Sequence, residues 1–176
     1  MARVVLLRGV NVGGHKTFRP SILARELSDY DVVNIGAAGT FVIRKPVSQK
    51  TLRSELIRKL PFDAELIICD GNDFAKLVST DPFAGEASGP DIVRFVSVLS
   101  KSKHSSPSMP LRLPSEGDWL LKIIAAEREF LFGVHRRQMK AIGYLNQIEK
   151  IFGVPATTRN WNTINAIARV LKSEEC

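Results

Sequence analysis

Asp31-Val32-Val33-Asn34-Ile35-Gly36-Ala37-Ala38-Gly39-Thr40-Phe41-Val42-Ile43-Arg44 reads as two short strands joined by a small turn. Val, Ile and Phe suit a pleated, buried surface, and the two glycines supply the backbone freedom of a tight return. Helical periods flank this hairpin. Pro20 sits where a first helical turn favours it, and Leu23, Leu27 and Tyr30 then share one face. Ser48 to Leu60 carries Leu52, Leu56 and Leu60 at the same kind of spacing. Beyond the helices lie two apolar runs, Arg3 to Arg8 and Ala64 to Cys69, which read as buried strands. The order β-α-β-β-α-β is the split unit of ferredoxin-like sandwiches.

Downstream, Asn72 to Ser79 predicts a short helix, and Asp81-Pro82 with Gly85 to Pro90 leads into a second set of strands. These are Ile92 to Leu99, Trp119 to Ala125 and Phe130 to Val134, the last two joined by a charged turn at Glu127-Arg128-Glu129. The polar, Pro-containing stretch from Ser100 to Pro110 reads as an exposed mobile loop. Ile142, Leu145, Ile148 and Phe152 predict one helix ended by Gly153 and Pro155; Ile164, Ile167, Ala168 and Leu171 predict another after Asn160. The expected fold is therefore α+β with two lobes. Residues 1–80 form the ferredoxin-like lobe, and 81–176 an antiparallel sheet with C-terminal helices.

With 44% hydrophobic residues in 176, the chain can bury a proper core, and no run approaches the ~20 apolar residues that span a bilayer. A soluble, cytoplasmic protein with no membrane partner is expected. Cys69 lies in an apolar run and Cys176 is the last residue, so neither a disulfide framework nor a metal cluster is implied, nor prenylation of Cys176. Lys plus Arg number 25 against 18 acidic residues, a net charge of +7, which favours anionic partners in general. Residues 89–176 hold most of the excess, but Lys101, Lys103, Arg112, Lys122, Arg136, Arg137 and Lys140 are scattered rather than contiguous. His15, His104 and His135 lie far apart without a carboxylate or Cys at metal-ligand spacing.

Two junctions concentrate backbone-permissive and hydrogen-bonding residues. Arg8-Gly9-Val10-Asn11-Val12-Gly13-Gly14 follows the first strand. There Gly9, Gly13 and Gly14 permit close backbone approach while Arg8, Asn11 and Lys16 offer donors to an anion. Gly9 to Thr17 misses the phosphate-loop pattern by one surplus residue, His15; and although Leu66 to Asp70 imitates the strand that ends in a magnesium-holding Asp, that architecture conflicts with the β-α-β-β-α-β order. Glycines after a strand are also ordinary turn residues. The second junction, Thr157-Thr158-Arg159-Asn160-Trp161-Asn162-Thr163, reads as the opening of the last helix, capped by Asn160 or Thr158. A helix N-terminus with Arg159 forking onto an anion and Trp161 offering a stacking face would suit a nucleotide or a splayed base. Trp161 can equally anchor the helix in the core, with Arg159 paired and Asn162 facing water.

On these residues the chain resembles domain-of-unknown-function family 1697. Its members open with a strand ending Leu-Arg-Gly-Ile-Asn-Val-Gly-Gly, here Leu7 to Gly14, and close with Thr-x-Arg-Asn-Trp-Asn-Thr, here Thr157 to Thr163. The resemblance runs over essentially the whole chain and implies a two-lobed α+β fold with no established activity. One departure stands out: where members carry Gln-Ser-Gly-Asn before the third strand, this chain has Ala37-Ala38-Gly39-Thr40.

The functional expectation is binding of an anionic, phosphate-containing ligand at Arg8, Asn11, Gly13, Gly14 and Lys16 together with Arg159, Asn160, Trp161, Asn162 and Thr163. Two other classes stand beside it, a nucleotide or phosphoester hydrolase using the same pocket and a nucleic-acid-binding module using the basic second half. No cofactor and no metal is predicted. Neither junction holds a nucleophile, a base and an orienting partner at a spacing that would specify one reaction.

Overall fold

The computed structural model describes residues 1–10, 17–103 and 105–173. The chain divides into two compact units, Met1–Thr80 with Asn162–Cys176, and Asp81–Trp161. The expectation had placed all of 81–176 in the second lobe; the contacts group the last helix with the first. The physical reason is close packing at one glycine. A Cβ on Gly71 would lie 2.9 Å from Leu171 Cδ2 and 3.1 Å from the Ala2 carbonyl, so the end of that helix lies against the first lobe.

The first lobe runs β1 (Arg3–Arg8), α1 (Pro20–Glu26), a short 3-10 turn (Ser28–Tyr30), β2 (Val32–Asn34), β3 (Thr40–Ile43), α2 (Gln49–Lys59), β4 (Glu65–Asp70) and α3 (Gly71–Ser79). The sheet order is β2-β3-β1-β4, with every pairing antiparallel. That is the ferredoxin-like arrangement the hairpin and its flanking helices imply. Pro20 occupies the start of α1, and Ser48 caps α2 by accepting a hydrogen bond from the Thr51 amide at 3.0 Å. Val5, Leu7, Phe41, Ile43, Leu66 and Ile68 bury one sheet face with Leu23 of α1, Leu27 just after it, and Leu52 and Leu56 of α2. Val4, Leu6, Val42 and Ile67, on the alternate positions, are buried too. Burial on both faces is why β1 and β4 read as continuous apolar runs rather than as alternation. The outer edge of β4 is covered by side chains of α2: Arg53 donates to the Leu66 carbonyl and Gln49 to that of Ile68.

The second lobe holds β5 (Ile92–Leu99), β6 (Leu111–Leu113), β7 (Leu121–Glu127), β8 (Phe130–Arg136), α4 (Met139–Leu145), α5 (Ile148–Phe152) and β9 (Ala156–Asn160). Its sheet order is β6-β7-β8-β5-β9, again antiparallel throughout. Phe95, Leu99, Leu121, Ile123 and Leu131 of this sheet form a core with Ile148, Phe152 and Val154. The turn between β7 and β8 carries Arg128 at φ 51, the left-handed backbone of a tight hairpin.

Three local expectations change. The single helix expected from Ile142 to Phe152 is two, interrupted at Asn146 and Gln147, and the second ends on Gly153 at φ 75. The polar stretch from Ser100 runs into a three-residue strand, β6, too short to show a period between Pro110 and Pro114. Most consequential, Thr157 to Asn160 does not open a helix. It belongs to β9, an edge strand on β5, where the Ser97 and Thr158 hydroxyls meet at 2.6 Å. β-branched Thr157 and Thr158 suit that pleat, and long-range pairing decides what local capping signals had suggested. The last helix, α6, is Trp161–Lys172. No helix among the described residues is long and apolar enough to cross a membrane.

Candidate functional site

Of the first junction, Asn11, Gly13, Gly14 and Lys16 lie outside the described residues, as does His15. Arg8 ends β1, and its guanidinium donates to Glu65 Oε2 of β4 at 2.7 Å. The two residues are register partners, so the pair belongs to the sheet end. Beside it lies the β2 to β3 turn. The Leu7 amide donates to the Gly39 carbonyl at 2.8 Å. Gly39 has φ +77, and a Cβ there would sit 2.7 Å from Leu7 Cβ, so the turn can approach β1 only with glycine. The fold thus brings Ala37-Ala38-Gly39-Thr40, where this chain departs from the family pattern, against the strand end that opens the glycine-rich junction. Asp70, the imitation magnesium ligand, pairs with Arg3 instead.

The second junction is divided between strand and helix. Arg159 is 7% exposed, and its Nη1 donates to Thr157 Oγ1 at 2.7 Å and to the Thr158 carbonyl at 3.0 Å. Burial lowers its pKa to about 10. A guanidinium turned inward onto its own strand is not the forked anion clamp that a helix opening would have offered. Asn160 is exposed at the end of β9, immediately before α6. Trp161 meets Phe83 edge to face, with ring centroids 5.0 Å apart. Thr163 is half-buried on α6.

Asn162 has a different setting. With Asn165, Ala168, Arg169 and Lys172 of α6 and Val78 of α3, it lines a recess of about 450 Å³. These α6 positions recur at three- and four-residue spacing, so one stripe of the helix supplies two amides, a guanidinium and an ammonium. The described residues of the lining include no carboxylate. The volume falls within the ~300–1,000 Å³ range of small-molecule sites. Asn165, Arg169 and Lys172 were missed by sequence reasoning. Their signal was present as the complement of the apolar stripe Ile164, Ile167 and Ala168, all of them buried. Lys172 also borders a second recess of about 260 Å³, with Met1, Ala2, Gly71, Asn72, Ala75 and Leu171.

In the second lobe, strand register gathers cations that looked scattered along the chain. Arg112 opposes Lys122, Lys122 opposes Val134, and Val134 opposes Arg94. Arg136 lies two residues along from Val134, and Arg159 opposes Val96, so these five cations share the sheet face opposite the Phe95 and Leu121 core. Lys122 pairs with Glu86 and Arg136 with Asp91. The Trp119 ring lies 5.0 Å from Lys122 Nζ and 4.3 Å from Arg136 Cζ. Arg94 lies over Phe83, while Arg112 is exposed. Among the described residues no group of three or more His, Cys, Asp or Glu side chains could hold a metal ion.

Comparison with solved structures finds similarity to the conserved bacterial protein SP0830 from Streptococcus pneumoniae, with a TM-score of 0.63 and 16% identity. The match covers 97% of this chain and 98% of that one, a likeness of fold. No curated protein matches the chain. The family described as Protein of unknown function (DUF1697) matches residues 1–118, more than half of the sequence, and the chain belongs to that family.

Proposed function

We propose that this protein binds an anionic, phosphate-containing small molecule in the cytoplasm, and that the helical half of the closing motif carries the site. The observation behind this reading is the α3–α6 recess, lined along one stripe of α6 by Asn162, Asn165, Arg169 and Lys172 with no acid among the described lining residues. Two cations and two amides in one concave surface supply charge and directed donors together, which is what a phosphate requires. Arg169 and Lys172 also complement the C-terminal pole of α6. That role accounts for the cations but not for two amides placed one and two turns earlier on the same stripe. The experiment is thermal unfolding of the full chain with inorganic phosphate and with phosphate esters. A ligand that raises the melting temperature of the wild type, by binding the native state, is expected to lose that effect in Arg169→Ala and Lys172→Ala. An unchanged shift in both variants overturns the reading.

The exposed edge of the second-lobe sheet at β6 favours a second reading, a nucleic-acid-binding module. Exposed Arg112, beside Lys122 and the Trp119 ring, would face phosphates and an unstacked base. Affinity for single-stranded RNA or DNA would then fall steeply with salt, and Arg112→Ala would reduce that slope.

A further inference from the structure

A strand at a sheet edge turns the backbone groups of every other residue outward, where they can recruit another chain. Three of the edges in this protein are guarded. On β4 the outward carbonyls are those of Leu66 and Ile68, which accept from Arg53 and Gln49. On β9 the outward Thr158 carbonyl accepts from Arg159 Nη1. β6 carries Arg112 at its centre and lies between Pro110 and Pro114, and charge and proline both discourage pairing.

β2 has none of these guards. The Ile35 amide donates to the Thr40 carbonyl and the Arg44 amide to the Asp31 carbonyl, so in this ladder Val33 faces Val42 while the amides and carbonyls of Val32 and Asn34 point away from β3. Among the described residues those four groups have no hydrogen-bond partner, and Asn34 Oδ1 is buried without one as well. From Val32 to Ile43 the hairpin holds no charged residue, although such residues make up 24% of the chain. We propose that β2 pairs antiparallel with β2 of a second copy of this chain, about a twofold axis at Val33. In that register Val32 of each copy opposes Asn34 of the other, and the outward groups of both strands close on themselves in a ring of backbone hydrogen bonds. An uncharged hairpin is also where a chain of net charge +7 meets its like with least repulsion. Three residues bury little surface, so the dimer is reversible and depends on concentration.

Sedimentation of the full chain from micromolar to millimolar concentration tests it, and wild type is expected to pass from monomer to dimer. Asn34→Pro removes an outward amide and no bond to β3, and Val33→Lys sets like charges directly opposite one another; each should weaken self-association by more than about tenfold. In the proposed register the two Val33 residues form a non-hydrogen-bonded pair with Cα atoms ~4.5 Å apart, within disulfide reach. Mild oxidation of Val33→Cys should therefore give a covalent dimer well above the wild-type background from Cys69 and Cys176. If either of the other variants does not fold, this cross-link decides. A wild-type monomer at every concentration overturns the proposal. So does a dimer that survives both substitutions, or one that Val33→Cys does not cross-link.

Discussion

Arg159 and Asn162 are three residues apart in one motif, and the fold uses them in opposite ways. Arg159 is a buried strand residue, its guanidinium bonded to Thr157 and to the backbone of its own strand. Asn162 is a helix residue turned outward, lining a recess with donors a turn or more away. Between them the chain passes from the two-residue period of β9 to the 3.6-residue period of α6, so neighbours in sequence diverge in space. The motif is therefore split: its strand half is buried and bonded, whereas Asn162, alone in its helix half, is exposed beside a recess.

The sharpest way to break this contrast is Arg159→Ala. It opens a cavity and removes the donor to Thr157 Oγ1 and the Thr158 carbonyl, so a loss of about 3 kcal/mol in unfolding free energy is expected in urea titrations. Arg159→Met keeps most of the volume and should recover part of that loss by removing a desolvated charge. Trp161→Ala should cost about 2 kcal/mol, because the ring contact with Phe83 disappears from a half-buried position. Thr158→Val, which removes the hydroxyl pair with Ser97, should cost about 1 kcal/mol by the same measurement. Asn162→Ala should change stability by less than about 0.5 kcal/mol and act on ligand binding alone. If it destabilises as much as Arg159→Ala, both halves are structural and the contrast fails.

The smallest effect lies outside the motif and sharpens the baseline. The hydrogen bond from Arg44 holds the Asp31 carboxyl below its usual pKa. Its contribution to stability is therefore present at neutral pH and lost as the pH falls through that lowered value. Asp31→Asn should flatten this slope slightly in acid titrations of stability, and Asn tolerates the φ of 53 found there.

The hairpin around Gly36-Ala37-Ala38-Gly39 and the helices flanking it were legible because each rests on local chemistry: glycine torsions, the Ser48 cap, Pro20 at a first turn, and apolar spacing. The ferredoxin-like order followed from them. β9 was not legible, because Thr157 to Asn160 becomes a strand only by pairing with β5, more than fifty residues earlier in the chain. β6 was hidden by its length. The candidate site was half legible. Asn162 was named from the motif, whereas Asn165, Arg169 and Lys172 emerged only when α3 supplied the opposite wall of the recess.

The sequence by itself determined the element types, the apolar stripes and the positive charge, since propensity, periodicity and ionisation belong to residues and their near neighbours. Tertiary structure alone decided which polar groups are spent and which remain to be used. Arg159 is buried and bonded because it lies in a strand, two residues from Thr157 on the same face, rather than at a helix opening. Arg94, Arg112, Lys122, Arg136 and Arg159, scattered in the chain, share one sheet face because pairing fixes the parity of each strand. Register and packing are relations between distant segments, and no window along the chain contains them.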